Sequence, residues 1–145
     1  RAGRTWNFAR QDAKMSSLDE IDRLARIAVN CAFEIHRDIG PGLLESAYEA
    51  MMFASLLEAG CLVERQVTVP LIFKGTRIEV PFRADMVVER KLLIELKSVE
   101  RNAPVHAKQV LTYLCLLDLP LGLLINFGMA TFKDGVQRIA NDFKD

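Results

Sequence analysis

Long hydrophobic runs are missing from this chain of 145 residues. Nowhere do about 18 uncharged apolar residues follow one another, so no segment reads as a membrane span. A basic-then-apolar leader is missing too, and this points to the cytoplasm. Cysteine is scarce: Cys31, Cys61 and Cys115 are odd in number and far apart. Without CxxC or a Cys/His zinc spacing they exclude a disulfide framework and a thiolate zinc site. They read as small core residues in a reducing compartment. Net charge is also absent, since 19 Lys and Arg meet 19 Asp and Glu. That balance argues against a strong sequence-independent grip on phosphate and leaves room only for a local basic surface. Internal repeats, biased tracts and linkers are lacking, so a single domain is expected.

What is present is an ordinary globular composition, half of it hydrophobic. Residues 1–14 are basic, hold two aromatics and show no period; they read as a flexible extension ahead of a domain over 15–145, with Met15 as a natural start. Ser17 and Glu20 have the spacing of a capping box. Ile21, Leu24, Ala28, Cys31 and Ile35 then recur at helical intervals until Gly40-Pro41-Gly42 breaks the pattern. A second helix is expected from Leu43 to Ala59, with Gly60 ending it. Its apolar Met51, Met52, Phe53, Leu56 and Leu57 read as core rather than interface. Residues 62–73 read as one strand, Lys74-Gly75 as a tight turn and residues 76–81 as the partner strand. Two further strands lie in "RADMVVERKLLIELKS", a helix in residues 104–118 and a buried strand in "LGLLINF". "KDGVQRIAND" reads as a terminal turn or short helix. The order predicts an α/β domain in which helices flank a central mixed sheet.

One strand carries an anomaly. Side chains alternate along a strand, so Glu95 and Lys97 share one side while Leu92, Ile94 and Leu96 take the other. The turn at Glu89-Arg90-Lys91 returns the Asp85 strand beside them, and the right register brings Asp85 to Glu95. Two carboxylates and an ammonium are costly to bury unless they pair or bind a cation. Oxygen ligands alone suit a hard ion, Mg²⁺ or Mn²⁺. Taken alone, E-x-K reads more readily as a solvated ion pair. Two further groups lie nearby in the chain order. Gly42, Glu45 and Tyr48 follow one helical face, where Glu45 either complements the helix dipole or leans over the sheet as a third carboxylate. His106, Gln109 and Tyr113 can share a face of the later helix, which read by itself is a wet polar face. Arg83, Lys91, Arg101 and Lys108 are candidates for a basic rim, each with solvated surface charge as the default.

Taken in order, Gly42-x-x-Glu45-x-x-Tyr48, Asp85, Glu95-x-Lys97 and Gln109-x-x-x-Tyr113 resemble the GxxExxY protein family. That family is placed in the PD-(D/E)XK nuclease superfamily, among its RecB-like and lambda-exonuclease-like branches. The resemblance runs from about Ile21 to Asn141 and takes in "GLLINFG" and "KDGVQRI". It implies a restriction-endonuclease-like core and Mg²⁺-dependent hydrolysis of nucleic acid, DNA favoured. It further implies that Asp85, Glu95 and Glu45 hold the metal and that Lys97 assists the attacking water. Gln109, Tyr113, Tyr48 and His106 are expected to line the substrate. Ala84 stands before Asp85 where the superfamily name has proline, a change that removes no ligand. The alternative reading is a catalytically weak or inactive nuclease-fold accessory or binding module in a DNA repair or defence complex. Under either reading the expected partner is nucleic acid, with a homo-oligomer or a protein partner left open.

Overall fold

In the computed structural model, the backbone is described for residues 2–142 and the side chains for residues 17–142. The order is α1 (Ala2–Ile39), α2 (Glu45–Glu58), β1 (Val63–Thr68), β2 (Ile72–Phe73), β3 (Thr76–Arg77), β4 (Arg83–Val88) and β5 (Leu92–Lys97). There follow α3 (Pro104–Leu117), β6 (Leu121–Asn126), α4 (Phe132–Gly135) and β7 (Val136–Ala140). Five strands form one sheet in the order β1-β4-β5-β6-β7, with β5 and β6 parallel and the other neighbours antiparallel. The expected mixed sheet flanked by helices is what the chain forms. Among the described residues no helix is long and apolar enough to cross a membrane.

The sheet separates two cores, and alternation along β5 assigns its residues between them. Leu92, Ile94 and Leu96 pack with Leu24, Ala28 and Ile35 of α1 and Met52 and Leu56 of α2. Leu93 packs on the other face with Val110, Tyr113 and Leu114 of α3. Each Leu, Ile, Val or Met among these contributes roughly 1.5–3 kcal/mol on burial. A one-residue slip of β5 would reverse all of these placements, so the register is strongly held.

Four local expectations are corrected. Ser17 lies inside α1, and Glu20 pairs with Arg23 at 2.7 Å instead of closing a capping box. Residues 62–73 do not form one strand, because Pro70 has no N–H to give a ladder. Instead β1 pairs with β4, while β2 and β3 make a separate two-stranded arm closed by Lys74 and Gly75, both at positive φ. The C-terminal segment is a one-turn helix followed by the edge strand β7, whose partly buried Val136 and Ile139 gave too short an apolar pattern to read. Cys115 is exposed rather than in the core, while Cys61 is buried and Cys31 half-buried; all three are free thiols. The expected flexible extension over residues 1–14 has, from Ala2 onward, helical backbone continuous with α1, and its side chains lie outside those described. The α2 core reading holds for Met52 and Leu56, whereas Leu57 is exposed.

Candidate active site

The site arises where two neighbouring strands part. Ladder pairing between β4 and β5 ends at Met86–Ile94, although β5 stays paired to β6 as far as Lys97–Asn126. Asp85 and Glu95 occupy the next positions, and their carboxylates take over from the missing backbone carbonyls. The Asp85 N–H donates to Glu95 Oε1 at 2.8 Å, and the Leu96 N–H donates to Asp85 Oδ2, also at 2.8 Å. This crossed pair fixes both carboxyl groups against the sheet and satisfies two amides that the splayed strands would leave open. Alternation also breaks here: Ala84 and Val87 both lie in the α3-side core.

The electrostatics are strained by proximity. Glu95 is only 4 % exposed. Burial raises its carboxyl to about 8, helped by the negative Asp85, and opposed by the Asp85 N–H and the Lys97 ammonium. Asp85 is raised as well, first by burial and then by Glu49 and Glu45, against the Leu96 N–H and Lys97. Protonation of the two carboxyls is therefore a property of the pair. Lys97, at the end of β5 and half-buried, makes no ion pair within 4.0 Å among the described residues, so its ammonium remains available.

The helices bring the remaining residues to different places. Glu45 is the exposed first residue of α2, close enough to act on Asp85 by charge but without a hydrogen bond to it. Glu49, one turn further, is more intimate. Its Oε1 accepts from Gln66 Nε2 at 2.6 Å and its Oε2 from Arg65 at 3.0 Å. The same Gln66 nitrogen stands 3.5 Å from Asp85 Oδ1, and Gln66 adopts a left-handed φ of 51° to do so. Sequence offered one signal for Glu49, its i+4 spacing from Glu45, and none for the Gln66 conformation. On α3, Gln109 Nε2 donates to the Tyr113 hydroxyl at 3.2 Å. Tyr113 is raised first by burial and then by the charge of Glu95, and its ring packs in the α3-side core with Ala84 and Leu93, close in sequence to the two acids. His106 is half-buried on the same helix, with no side-chain hydrogen bond among the described residues.

Two expectations fail on geometry. Tyr48 does not face a substrate: it is wholly buried on the α1/α2 side, stacked on Phe127 at 4.3 Å. Its hydroxyl donates to Gly40 O at 2.6 Å and accepts the Leu43 N–H at 3.2 Å, so it pins the loop that presents Glu45. Lys91 sits in the β4–β5 turn, at the opposite end of the hairpin from Asp85 and Glu95, and leaves the rim. Arg83, Arg101 and Lys108 are exposed at the site end.

A residue outside the expected set supports the site from below. Asn126 is the parallel partner of Lys97 and is 3 % exposed. Its Oδ1 accepts the N–H groups of Val99 and Gly128 at 3.0 Å each, and its Nδ2 donates to Asn102 at 3.0 Å. The connection from Lys97 to α3 is thereby tied to the end of β6. An asparagine interrupting the apolar "LGLLINF" just before its last residue was the visible clue.

The donor set suits a hard divalent cation. After the two backbone bonds, Glu95 Oε2 remains, together with Asp85 Oδ1 apart from the distant Gln66 approach. Among the described residues no three His, Cys, Asp or Glu side chains cluster closely enough to cage an ion. Magnesium does not need a protein cage, since it keeps several waters and takes one or two carboxylates plus substrate phosphate.

Neither a curated protein nor a solved structure gives a match to this chain. A family model does, over residues 22–139, which takes in both strands of the acid pair, α2 and α3 whole and the later part of α1. Members of that family generally use divalent metal ions. On that match and this geometry, the chain belongs to the PD-(D/E)XK nuclease superfamily.

Proposed function

We propose that the protein hydrolyses phosphodiester bonds in nucleic acid, DNA favoured, with Mg²⁺ or Mn²⁺ held by Asp85 and Glu95. The observation that carries this reading is the crossed arrangement in which each carboxylate is anchored by the backbone N–H opposite it, with the Lys97 ammonium acting on both by charge. When bound, a divalent ion at such a site supplies an acidified water and neutralises charge on the phosphate. The Lys97 ammonium orients that water or takes charge from the phosphate oxygens. Glu49, linked to Asp85 through Gln66, and Glu45, which acts on Asp85 by charge, would add negative charge around the ion. Tyr113, held by Gln109, presents a hydroxyl beside Glu95, and His106 lines the same helix toward substrate. Within the superfamily we place the chain with the GxxExxY proteins, on Gly42, Glu45, Tyr48 and the Gln109–Tyr113 pair. Three free thiols fit a reducing, cytoplasmic setting.

The test is cleavage of single-stranded DNA, duplex DNA and RNA in Mg²⁺ and Mn²⁺ by wild type, Glu95→Ala and Lys97→Ala. Wild-type cleavage should vanish with EDTA and fall at least ~100-fold in each variant, the scale at which removing a main charge-stabilising group acts. Unchanged activity in Glu95→Ala would place the chemistry elsewhere. Absence of both cleavage and calorimetric metal binding in wild type would leave the alternative, a nuclease-fold accessory module.

A further inference from the structure

The two-stranded arm is the part of the molecule that the acid site does not explain. Pro70 and Pro81 bracket it, and it stands outside the five-stranded sheet. Its strand residues are exposed, and Ile72 and Phe73 are 64 % and 62 % exposed. Val80 and Phe82 continue the exposed apolar surface towards the site, where the Phe82 ring lies 6.4 Å from that of Tyr113. Exposed apolar residues gathered on one short arm, rather than scattered singly, mark a surface that binds something.

Charge narrows the kind of occupant. From Leu71 to Arg83 there are Lys74, Arg77 and Arg83 against Glu79 alone, in a chain that is otherwise neutral. Lys74 Nζ lies 5.5 Å from the centre of the Phe73 ring, and Arg77 meets Glu79 only at 3.4 Å with both side chains largely exposed. A cavity of about 230 Å³ opens at the root of the arm, lined by Thr68, Arg77, Glu79 and Arg83 among others, so two cations there face one acid. Arg83 begins β4 and precedes Asp85 by two residues, about 7 Å along a strand. An exposed aromatic face beside cations that lead to a phosphate-hydrolysing centre matches how unstacked bases and their backbone are bound. A protein partner would equally accept Ile72 and Phe73, but it would not call for a line of cations ending at the acid pair.

We propose that the β2–β3 arm grips a single-stranded segment of the nucleic acid, with Phe73 stacking on a base and Arg77 and Arg83 receiving phosphates on the way to Asp85 and Glu95. This deepens the nuclease reading and rests on it for the identity of the reaction. Duplex ends or gaps would have to open before entering, because a paired base has no free face for Phe73.

The experiment measures fluorescence anisotropy of labelled oligothymidine and of a duplex of equal length, in EDTA so that no hydrolysis occurs. Wild type should prefer oligothymidine. Phe73→Ala should weaken that binding about tenfold, within the range for loss of one stacked base. Phe73→Trp should restore it. Arg77→Ala with Arg83→Ala should flatten the salt dependence by about 1.4 in log–log slope, the release expected for two single-strand phosphate contacts. These side chains are exposed, so thermal melts should stay at the wild-type value. Unchanged affinity in Phe73→Ala, or preference for the duplex, overturns the proposal. So does conversion of a dimer to monomer by Phe73→Ala with binding intact, which would make the arm a self-association surface. If wild type cleaves in Mg²⁺ and the arm variants bind and cleave equally well, the arm proposal falls while the nuclease reading stands. If oligothymidine binds through Phe73 and nothing is cleaved in any metal, the nuclease reading falls and the grip survives. Absence of both binding and cleavage removes both.

Discussion

Glu95 concentrates the conflict between burial and charge. It lies in a strand of Leu and Ile, and burial beside Asp85 raises it to about 8 from an ordinary 4.5. Between those two pH values the folded state keeps a proton that the unfolded chain has released. The contribution is therefore fully present below about pH 4.5 and is lost as pH rises towards 8. Asp85 shifts in the same direction and adds to the slope. Urea unfolding of the metal-free protein should accordingly show stability falling across this window by up to several kcal/mol, at about 1.4 kcal/mol per unit of pKa shift. Glu95→Gln, which keeps the shape and removes the titration, should flatten the curve; an equally steep curve in that variant would assign the pH dependence to other groups. The sequence showed that Glu95 and Lys97 share a side of β5. It did not show that the amide of one acid's residue would bind the carboxylate of the other, because that follows from the parting of β4 and β5.

At the scale of elements, the decisive joint is between the ends of β5 and β6. Gly128 is packed so closely that a Cβ added there would stand 2.3 Å from Val99 O. Backbone cannot yield as a side-chain tip does, so Gly128→Ala should cost at least ~2 kcal/mol, at the upper side of ordinary overpacking. The midpoint in urea checks this, and metal-dependent activity should fall with it because Val99 follows Lys97 by two residues. A variant with wild-type stability would show that the loop relaxes freely. Helices and the central strands were legible from period and turn residues: Gly40-Pro41-Gly42 ends α1, Gly60 ends α2, and Lys74-Gly75 closes the arm. The arm's separation from the sheet was not legible, since "LVERQVTVPLIF" alternates across Pro70 much as a single strand would. Nor was β7, an edge strand that buries only one side of a short apolar pattern.

At the scale of the whole molecule, neutrality conceals segregation. Asp85, Glu95, Glu49 and Glu45 gather near one point, with Lys97 and Arg65 as the nearby cations, while Lys74 and Arg77 lie on the arm and Arg83 at the start of β4 beside it. A divalent ion that binds only the folded chain relieves the acid repulsion and stabilises by mass action, about 2.7 kcal/mol at a hundredfold excess over Kd. Melting followed by circular dichroism at pH 8 should therefore move upward with added Mg²⁺ in wild type and stay still in Glu95→Ala. A wild-type melt indifferent to Mg²⁺ and Mn²⁺ would remove the metal reading.

The sequence by itself determined the alternation that puts Glu95 and Lys97 on one face, the helical faces that fill the core, and the order of motifs that marks the superfamily. These are properties of neighbours along the chain, set by periods of 2 and 3.6 residues. Only the tertiary structure decided that Tyr48 is a buried pin, that Glu49 reaches Asp85 through Gln66, that Asn126 braces the connection after Lys97, and that residues 71–82 leave the sheet. Each depends on which strands pair and where pairing stops, and those are contacts between residues that no local pattern connects.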